Sequence, residues 1–329
     1  MIGWYVHHHG FGHATRFLAV RPHLLDAVTV FSSLAPPADV PAGTDWVRLP
    51  ADDTPIVRPD GSELSPRAAD PTAGGALHWA PLGHRGHRSR LAMIAAALEA
   101  RDIDVMVVDV SAEVATLARL LGTPTVVVTQ PGERTDAPHL LAYGLASRVL
   151  APWAPGLLPD PPATTTVFTG GISRFDGRVS AERKDRSVLF LGRVAPSRVV
   201  ADAARLLTAD GWTCRSIGAD ADDRVADPWP LLSAGAVIVS AAGQNSVADL
   251  AAADARAVVV PQERPFDEQR ATGEVLRRHG LAVVAEPDPD AETLVSLIRE
   301  ARDLRPDWSV WGVSGAAARA AAAIEGVRR

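Results

Sequence analysis

The stretch Ser240-Ala-Ala-Gly-Gln-Asn-Ser-Val-Ala-Asp249 organises the expected architecture of this chain. The apolar run Ala236–Val239 before it predicts a buried strand, and Gly243 marks a turn. Asn245 or Ser246 is the expected N-cap of a following helix, which places Asp249 in its first turn. This order exposes backbone N–H groups at the positive end of a helix dipole, and a diphosphate is a common occupant of such a turn.

The length and composition of the chain limit the classes of protein to which it can belong. The chain has 329 residues, enough for two ordinary domains, with 47% hydrophobic and 22% charged residues. Its net charge of −6 argues against a general nucleic-acid binder. A single cysteine, Cys214, excludes an intrachain disulfide framework and fits a reducing compartment. No apolar run approaches the roughly 20 residues of a membrane span, and no secretory signal is evident, so a cytoplasmic location is expected.

Strand and helix patterns alternate along the whole chain. Short, Val-rich, nearly continuous apolar runs separated by helical spacing predict parallel sheets covered on both faces. A second alternating series begins at Ser187. We therefore expect an α/β protein of two Rossmann-like, doubly wound domains facing each other across a cleft, with ligands at the carboxyl ends of the strands. The expected units are an N-terminal Rossmann-like domain (1–170), a linker (171–186) and a C-terminal Rossmann-like domain (187–329), whose last helix (312–326) is a candidate to pack back on the N-terminal domain.

One segment breaks the alternation. Residues 50–86 are rich in Pro, Gly, Ala and Asp with little periodicity, which predicts a long loop with at most one short helix. The loop ends in a basic cluster, a candidate contact for anionic lipid headgroups or a lipid-linked phosphate; an ordinary solvated Arg-rich loop is the alternative. The candidate residues are His84, Arg85, Arg88 and Arg90.

The first predicted strand leads into His9-Gly-Phe-Gly-His-Ala-Thr-Arg16. Gly10 and Gly12 allow a tight turn and close approach to a ligand. His13 falls at a helix start facing the cleft, where a neutral imidazole can take a proton from a hydroxyl or from water; a histidine that only caps the helix is the alternative. The segment lacks the third glycine of the dinucleotide fingerprint, which disfavours a Rossmann dehydrogenase.

A third polar segment, Val260-Pro-Gln-Glu-Arg-Pro-Phe-Asp-Glu-Gln269, again joins a strand end to a helix start. Glu268 and Gln269 offer adjacent acceptors and donors for sugar hydroxyls. Ordinary polar residues of a helix N-terminus are the alternative interpretation.

Taken in order, these three segments resemble GT-B nucleotide-sugar enzymes, and most closely glycosyltransferase family 28, the MurG-like family. The resemblance covers essentially the whole chain and is most specific over Ser240–Gln269. It implies that the N-terminal domain, with its basic cluster, binds the acceptor and that the C-terminal domain binds the nucleotide-sugar. The resemblance implies that His13 deprotonates the acceptor hydroxyl and that Asp249 grips the ribose of the donor. It implies further donor contacts through Gly10, Gly12, Gly192, Arg193, Ile217, Gly218, Gly243, Gln244, Asn245, Ser246, Glu268 and Gln269.

Three positions depart from the family pattern. The N-terminal loop is His9-Gly-Phe-Gly-His13 rather than a glycine-richer version. The loop after the first strand of the C-terminal domain is Leu191-Gly-Arg-Val-Ala-Pro-Ser197 rather than a glycine- and serine-rich loop, so Arg193 or Ser197 would have to replace a phosphate contact. Asp249 stands where the family has the longer glutamate.

The resemblance implies a hexosyltransferase that moves a sugar from a nucleotide donor, expected to be a UDP-sugar, to a hydroxyl acceptor. Hydrolysis is the main alternative, because the GxGHxxR loop also occurs in a GT-B hydrolase of UDP-linked deoxy-sugars. A GT-B 2-epimerase and a non-catalytic nucleotide-sugar-binding module are further alternatives. The acceptor is open, a lipid-linked or cell-envelope glycan being one candidate, with peripheral contact at the inner face of a membrane.

No cofactor or metal is expected for this chemistry, because backbone amides and a helix dipole can stabilise a departing diphosphate. The run His7–His9 suggests a chelate at first sight. Adjacent residues of a strand point to opposite faces, however, which predicts a poor set of ligands.

Overall fold

The computed structural model describes residues 1–220, 222–223 and 225–327. They form two α/β domains, each built on a parallel sheet covered by helices. The predicted fold class of two doubly wound domains is therefore confirmed.

The N-terminal domain contains a seven-stranded sheet and a separate two-stranded hairpin. Its strands are β1 (Ile2–Val6), β2 (Val28–Ser32), β3 (Thr44–Arg48), β4 (Ile56–Val57), β5 (Glu63–Leu64), β6 (Val105–Asp109), β7 (Thr125–Val128), β8 (Arg148–Ala151) and β9 (Thr166–Phe168). Its helices are α1 (Gly12–Val20), α2 (Arg85–Ala100), α3 (Ala112–Leu120) and α4 (Ala137–Leu145). The large sheet has the order β3-β2-β1-β6-β7-β8-β9 with parallel pairs throughout, while β4 and β5 pair antiparallel.

The C-terminal domain repeats this plan with five strands. They are β10 (Ser187–Leu191), β11 (Thr213–Ile217), β12 (Val237–Ala241), β13 (Ala257–Val260) and β14 (Val283–Val284), in the order β11-β10-β12-β13-β14. The helices are α5 (Ser197–Ala209), α6 (Trp229–Ala234), α7 (Gln244–Ala252), α8 (Glu268–Arg278) and α9 (Ala291–Arg302).

The last helix, α10 (Ala316–Glu325), returns to the N-terminal domain. Its alanines pack in one core with Trp4, Phe17 and the neighbouring strands of the first sheet. A short 3-10 segment, Trp308–Trp311, leads into it, and the Gly171 N–H donates to the Trp311 carbonyl at 3.0 Å. The segment that connects the two domains is thus hydrogen-bonded to the segment that leads into α10.

The segment predicted as one long loop carries more structure than expected. Residues 50–86 contain the β4–β5 hairpin and two 3-10 turns, Pro66–Ala68 and Ala73–Gly75. The hairpin closes around Gly61, whose φ of +84° suits glycine, and the first turn begins at a proline. The basic cluster itself lies on α2 and its N-cap.

Sheet register brings the polar segments together. Val6 and Asp109 are paired at the carboxyl ends of β1 and β6, and Ala241 and Val260 at those of β12 and β13. The loops that follow these four strand ends face each other across the cleft.

Candidate functional site

The cleft encloses a cavity of about 610 Å³ whose walls come from both domains. The N-terminal wall is the loop and helix that follow β1, and the C-terminal wall is the start of α7 with the segment before α8. Of the residues predicted from sequence, those on the walls are Gly10, Gly12, His13, Gly243, Gln244, Asn245, Ser246, Glu268 and Gln269.

His13 is paired with a carboxylate that the sequence did not single out. Its Nδ1 lies 2.8 Å from Oδ1 of Asp109, the last residue of β6. Asp109 is fully buried. Burial by itself raises the pKa of Asp109, but the charges of Arg16 and His13 and their hydrogen bonds outweigh it and hold that pKa below its usual value. Asp109 is therefore ionised and acts as an acceptor for the imidazole.

Arg16, the last residue of the GxGHxxR segment, joins this pair to the other domain. Its Nη1 donates to Asp109 Oδ1 at 2.6 Å and its Nη2 donates to Gln244 Oε1 at 2.7 Å. The guanidinium is buried. One arginine thus connects the histidine dyad with the first residue of α7.

The start of α7 is exposed to the cavity as an anion site requires. The helix begins at Gln244, with Gly243 as N-cap and without a side-chain cap hydrogen bond. Asn245 is therefore not the cap; its Nδ2 donates to the Gly12 carbonyl at 2.5 Å across the cleft. Asp249 consequently lies in the second turn rather than in the first. The N–H groups of the first turn remain directed at the cavity end of the helix.

Gln269 and Glu268 have different surroundings. Gln269 Oε1 accepts the N–H groups of Ala242 and Gln262 at 3.1 and 2.8 Å, which ties together the segments that follow β12 and β13. Glu268 Oε2 lies 3.8 Å from Nη2 of Arg134, a buried residue of the N-terminal domain. Both side chains stand on the cavity wall.

Phe266 is a contact between the domains that the sequence did not reveal. Its ring lies 4.5 Å from the Arg134 guanidinium carbon and 4.8 Å from the His139 ring. Its carbonyl accepts the Glu133 N–H at 2.8 Å. Phe266 and Asp267 both have left-handed backbone conformations, with φ of +62° and +56°. This conformation is unfavourable for residues other than glycine. The contacts of the Phe266 ring therefore offset local backbone strain.

Asp249 lies away from the cavity, on the side of α7 that faces the connection between the domains. Its Oδ1 accepts the Ser173 hydroxyl at 2.6 Å, and only 7% of the residue is exposed. Burial raises its pKa to about 6, against the opposing effects of the Ser173 hydrogen bond and of the charge of Arg174. Ribose binding by this carboxylate stays a prediction.

Four other predicted donor contacts cluster at the carboxyl edge of the second sheet. Gly192 follows β10 and its N–H donates to the carbonyl of Ile217, the last residue of β11, at 2.9 Å. Gly218 follows directly, with a φ of +73°. Arg193 is exposed and pairs with Asp220 at 3.1 Å. The strand order brings these residues together, beyond the cavity formed by α1 and α7.

The expected basic surface is reduced to two residues. His84 is buried as the N-cap of α2, where its side chain accepts the His87 N–H. Arg90 is buried one and a half turns later and forms an ion pair with Asp52. Only Arg85 and Arg88 of the predicted four are exposed, because helical spacing turns the other side chains inward. His84 and Arg90 are therefore not exposed for contact with an acceptor or with lipid headgroups, whereas such a contact through Arg85 and Arg88 stays a prediction.

Two groups of His and Asp side chains in the described parts of the chain can supply metal ligands. In one of them Asp136 accepts from His78 at 2.8 Å and is hydrogen-bonded to His139 Nδ1. The other ring nitrogen of His139 faces the Arg134 guanidinium at 3.3 Å. Burial lowers the pKa of His139 to about 4 despite the hydrogen bond with Asp136. The rings of His78 and His139 pack against the Phe266 ring, so this hydrogen-bonded group supports Phe266.

The other group is His8, His9 and Asp53. β1 ends at Val6, so the run His7–His9 lies beyond the strand. The His8 ring lies 4.9 Å from the His7 ring and 4.5 Å from the His9 ring. The expectation that they point to opposite faces is therefore wrong, because alternation holds only within a strand.

Among the helices of the described chain, none combines the length and apolar character that crossing a bilayer requires. No protein-family model matches the sequence, and no curated protein matches it.

Solved structures do match, over the whole length. The chain is similar to Acinetobacter baumannii MurG (17% identity, TM-score 0.62, covering 99% of this chain and 100% of that one). It is also similar to the glycotransferase of kitacinnamycin (16%, TM-score 0.62, 100% and 99%). A third is the spinosyn rhamnosyltransferase SpnG complexed with thymidine diphosphate (17%, TM-score 0.60, 99% and 96%). Likeness at these identities is a likeness of fold, and the predicted GT-B fold is confirmed.

Proposed function

We propose that the protein transfers a sugar from a nucleotide-activated donor to a hydroxyl group of an acceptor. The observation that carries the proposal is the pairing of His13 with the ionised Asp109 at 2.8 Å, on a cavity wall opposite the start of α7. A base for the acceptor and a site for a departing diphosphate thus face each other across one cavity.

The pairing determines which nitrogen of His13 can act. An ionised carboxylate only accepts hydrogen bonds, so Nδ1 carries the hydrogen and Nε2 keeps its lone pair. In the proposed step Nε2 takes the proton of the acceptor hydroxyl as its oxygen bonds to the anomeric carbon. The bond from that carbon to the diphosphate breaks, and the electron pair leaves with the diphosphate. Asp109 stays ionised and stabilises the imidazolium.

The diphosphate is proposed to bind at Gly243–Ser246. The free N–H groups and the dipole of α7 favour negative charge there, and Arg264 adds a cation on the same wall. Stabilisation of this kind is already oriented before the reaction and calls for no metal at the diphosphate.

For the rest of the donor, we propose a UDP-sugar whose nucleoside lies toward the group of Gly192, Arg193, Ile217 and Gly218. Glu268 and Gln269 are the proposed contacts of the sugar. The SpnG structure was determined with thymidine diphosphate, so TDP-sugars belong in the same test.

The experiment is product analysis with UDP- and TDP-sugars, in the presence and absence of a panel of hydroxyl acceptors. Transfer predicts acceptor-dependent glycoside and little free sugar. Rapid stoichiometric release of free sugar without acceptor supports the hydrolase instead, in which His13 activates water. Failure to bind any nucleotide-sugar in a thermal-shift screen overturns both.

The role of His13 needs a matched comparison. His13→Ala should abolish turnover and leave donor affinity nearly unchanged, while His279→Ala, which removes an exposed histidine, should behave like the wild type. Turnover that survives in His13→Ala would leave the histidine with a structural role only.

A further inference from the structure

The loop that follows β1 and the loop that follows β3 meet beside the cleft through His8, His9 and Asp53. The His8 Nε2 lies 4.0 Å and the His9 Nε2 3.9 Å from Asp53 Oδ2. One ligand atom from each of the three residues falls within 4.8 Å of the others. Two imidazoles and a carboxylate from separate loops are thus already gathered around one point.

These separations are too long for hydrogen bonds but suit ligands of a common ion. Zinc binds nitrogen and oxygen ligands at about 2.1 Å, which places the corners of a tetrahedron about 3.4 Å apart. Small side-chain rotations therefore bring the three atoms to coordination distance.

His8 is the ligand that the surrounding protein leaves unused. Both of its ring nitrogens are buried, and within the described chain neither has a hydrogen-bond partner. Such buried, unsatisfied polar atoms are uncommon in folded proteins and call for an explanation. An imidazole nitrogen without a hydrogen-bond partner is free to offer its lone pair to a metal ion.

The local charge favours a cation. Asp52 Oδ1 lies 3.4 Å from His8 Nε2, close to the carboxylate of Asp53. The Arg90 guanidinium forms an ion pair with Asp52, which leaves the Asp53 carboxylate as the uncompensated negative charge beside His8.

We propose that His8, His9 and Asp53 form a binding site for a divalent transition-metal ion of the zinc class. Imidazole ligands favour zinc, cobalt and nickel over magnesium and calcium. Three protein ligands leave a fourth position for water, and Asp52 supports the site from the outer shell. The ion would tie together two loops of the N-terminal domain, and its ligand His9 also lies on the wall of the cavity between the domains.

The test uses the full-length chain without a histidine tag, freed of metal with a chelator. Zn²⁺ is titrated by calorimetry, and Co²⁺ binding is followed by its visible absorption. One equivalent of each ion should bind. His9→Ala and Asp53→Asn remove partly exposed ligands and should each weaken affinity by at least roughly 10–100-fold, the loss typical for outer-shell changes. Zn²⁺ should raise the unfolding temperature of the wild type and not of these variants.

Two control variants test whether metal binding is specific to His8, His9 and Asp53. His279→Ala removes an exposed histidine elsewhere, and His78→Ala disrupts the other His–Asp group; both should bind like the wild type. The proposal is overturned if the wild type binds less than one equivalent of both ions, if His9→Ala and Asp53→Asn bind as tightly as the wild type, or if His78→Ala alone abolishes binding. Circular dichroism verifies that each variant is folded.

Discussion

Asp249 should make the protein less stable as pH rises, and its replacement by asparagine should remove that effect. Burial raises its pKa from 3.8 in the unfolded chain to about 6 in the folded protein. Between these values the folded chain keeps a proton that the unfolded chain releases, so the free energy of unfolding falls as pH rises through the window. A difference of about two pKa units corresponds to about 3 kcal/mol above pH 6.

Asp249→Asn keeps the shape of the side chain and an oxygen that can accept the Ser173 hydroxyl. We therefore expect urea unfolding near pH 7.5 to show a variant more stable than the wild type by about 2–3 kcal/mol, and near pH 5 by about half as much. Asp160→Asn, which alters an exposed carboxylate, is the control and should change little. Equal stability of wild type and Asp249→Asn at both pH values would refute the reasoning.

The same substitution separates stability from function. If the carboxylate binds ribose hydroxyls, Asp249→Asn should weaken donor binding by roughly 1.5–3 kcal/mol, the value of a hydrogen bond to a charged group. Stability and donor affinity would then move in opposite directions, as expected where a site retains an unfavourable group for its function. Unchanged affinity in calorimetry would remove Asp249 from the donor site.

Three further changes test the contacts of the cleft. Asp109→Asn should lower kcat roughly 10²–10⁴-fold with little change in donor affinity, because His13 loses the anion that orients it; steady-state kinetics with calorimetry measures both. Asn245→Ala removes the bond to the Gly12 carbonyl and should destabilise the protein by about 1 kcal/mol in urea unfolding; no change would show that the bond is not formed in solution. Phe266→Ala should lower the free energy of unfolding by about 1–2 kcal/mol through the lost contacts with Arg134 and His139, and equal unfolding midpoints would contradict the docking of the ring.

Local sequence patterns predict strands and turns correctly where these depend on neighbouring residues of the backbone alone. The apolar run Ala236–Val239 identified β12, and Gly243 marked the turn before α7, whereas β4 and β5 lie in a segment predicted as a loop. The start of that helix was misplaced by one residue or more, because Asn245 bonds to Gly12 of the other domain instead of capping. The sequence pattern of residues 137–145 does not indicate helix α4, since a proline near its start and a glycine inside it obscure the helical spacing.

The chain's periodicity and turn residues were enough to specify two parallel sheets, a glycine loop with His13 at one strand end and a helix N-terminus at another, because these depend on residues close in sequence. The partner of His13 depends on strand order. β6 lies beside β1, so Asp109 reaches a histidine 96 residues away. Burial is decided in the same way: α2 turns Arg90 toward Asp52 and away from solvent. Such contacts follow from packing between elements distant in sequence, which the spacing of residue types along one chain does not encode.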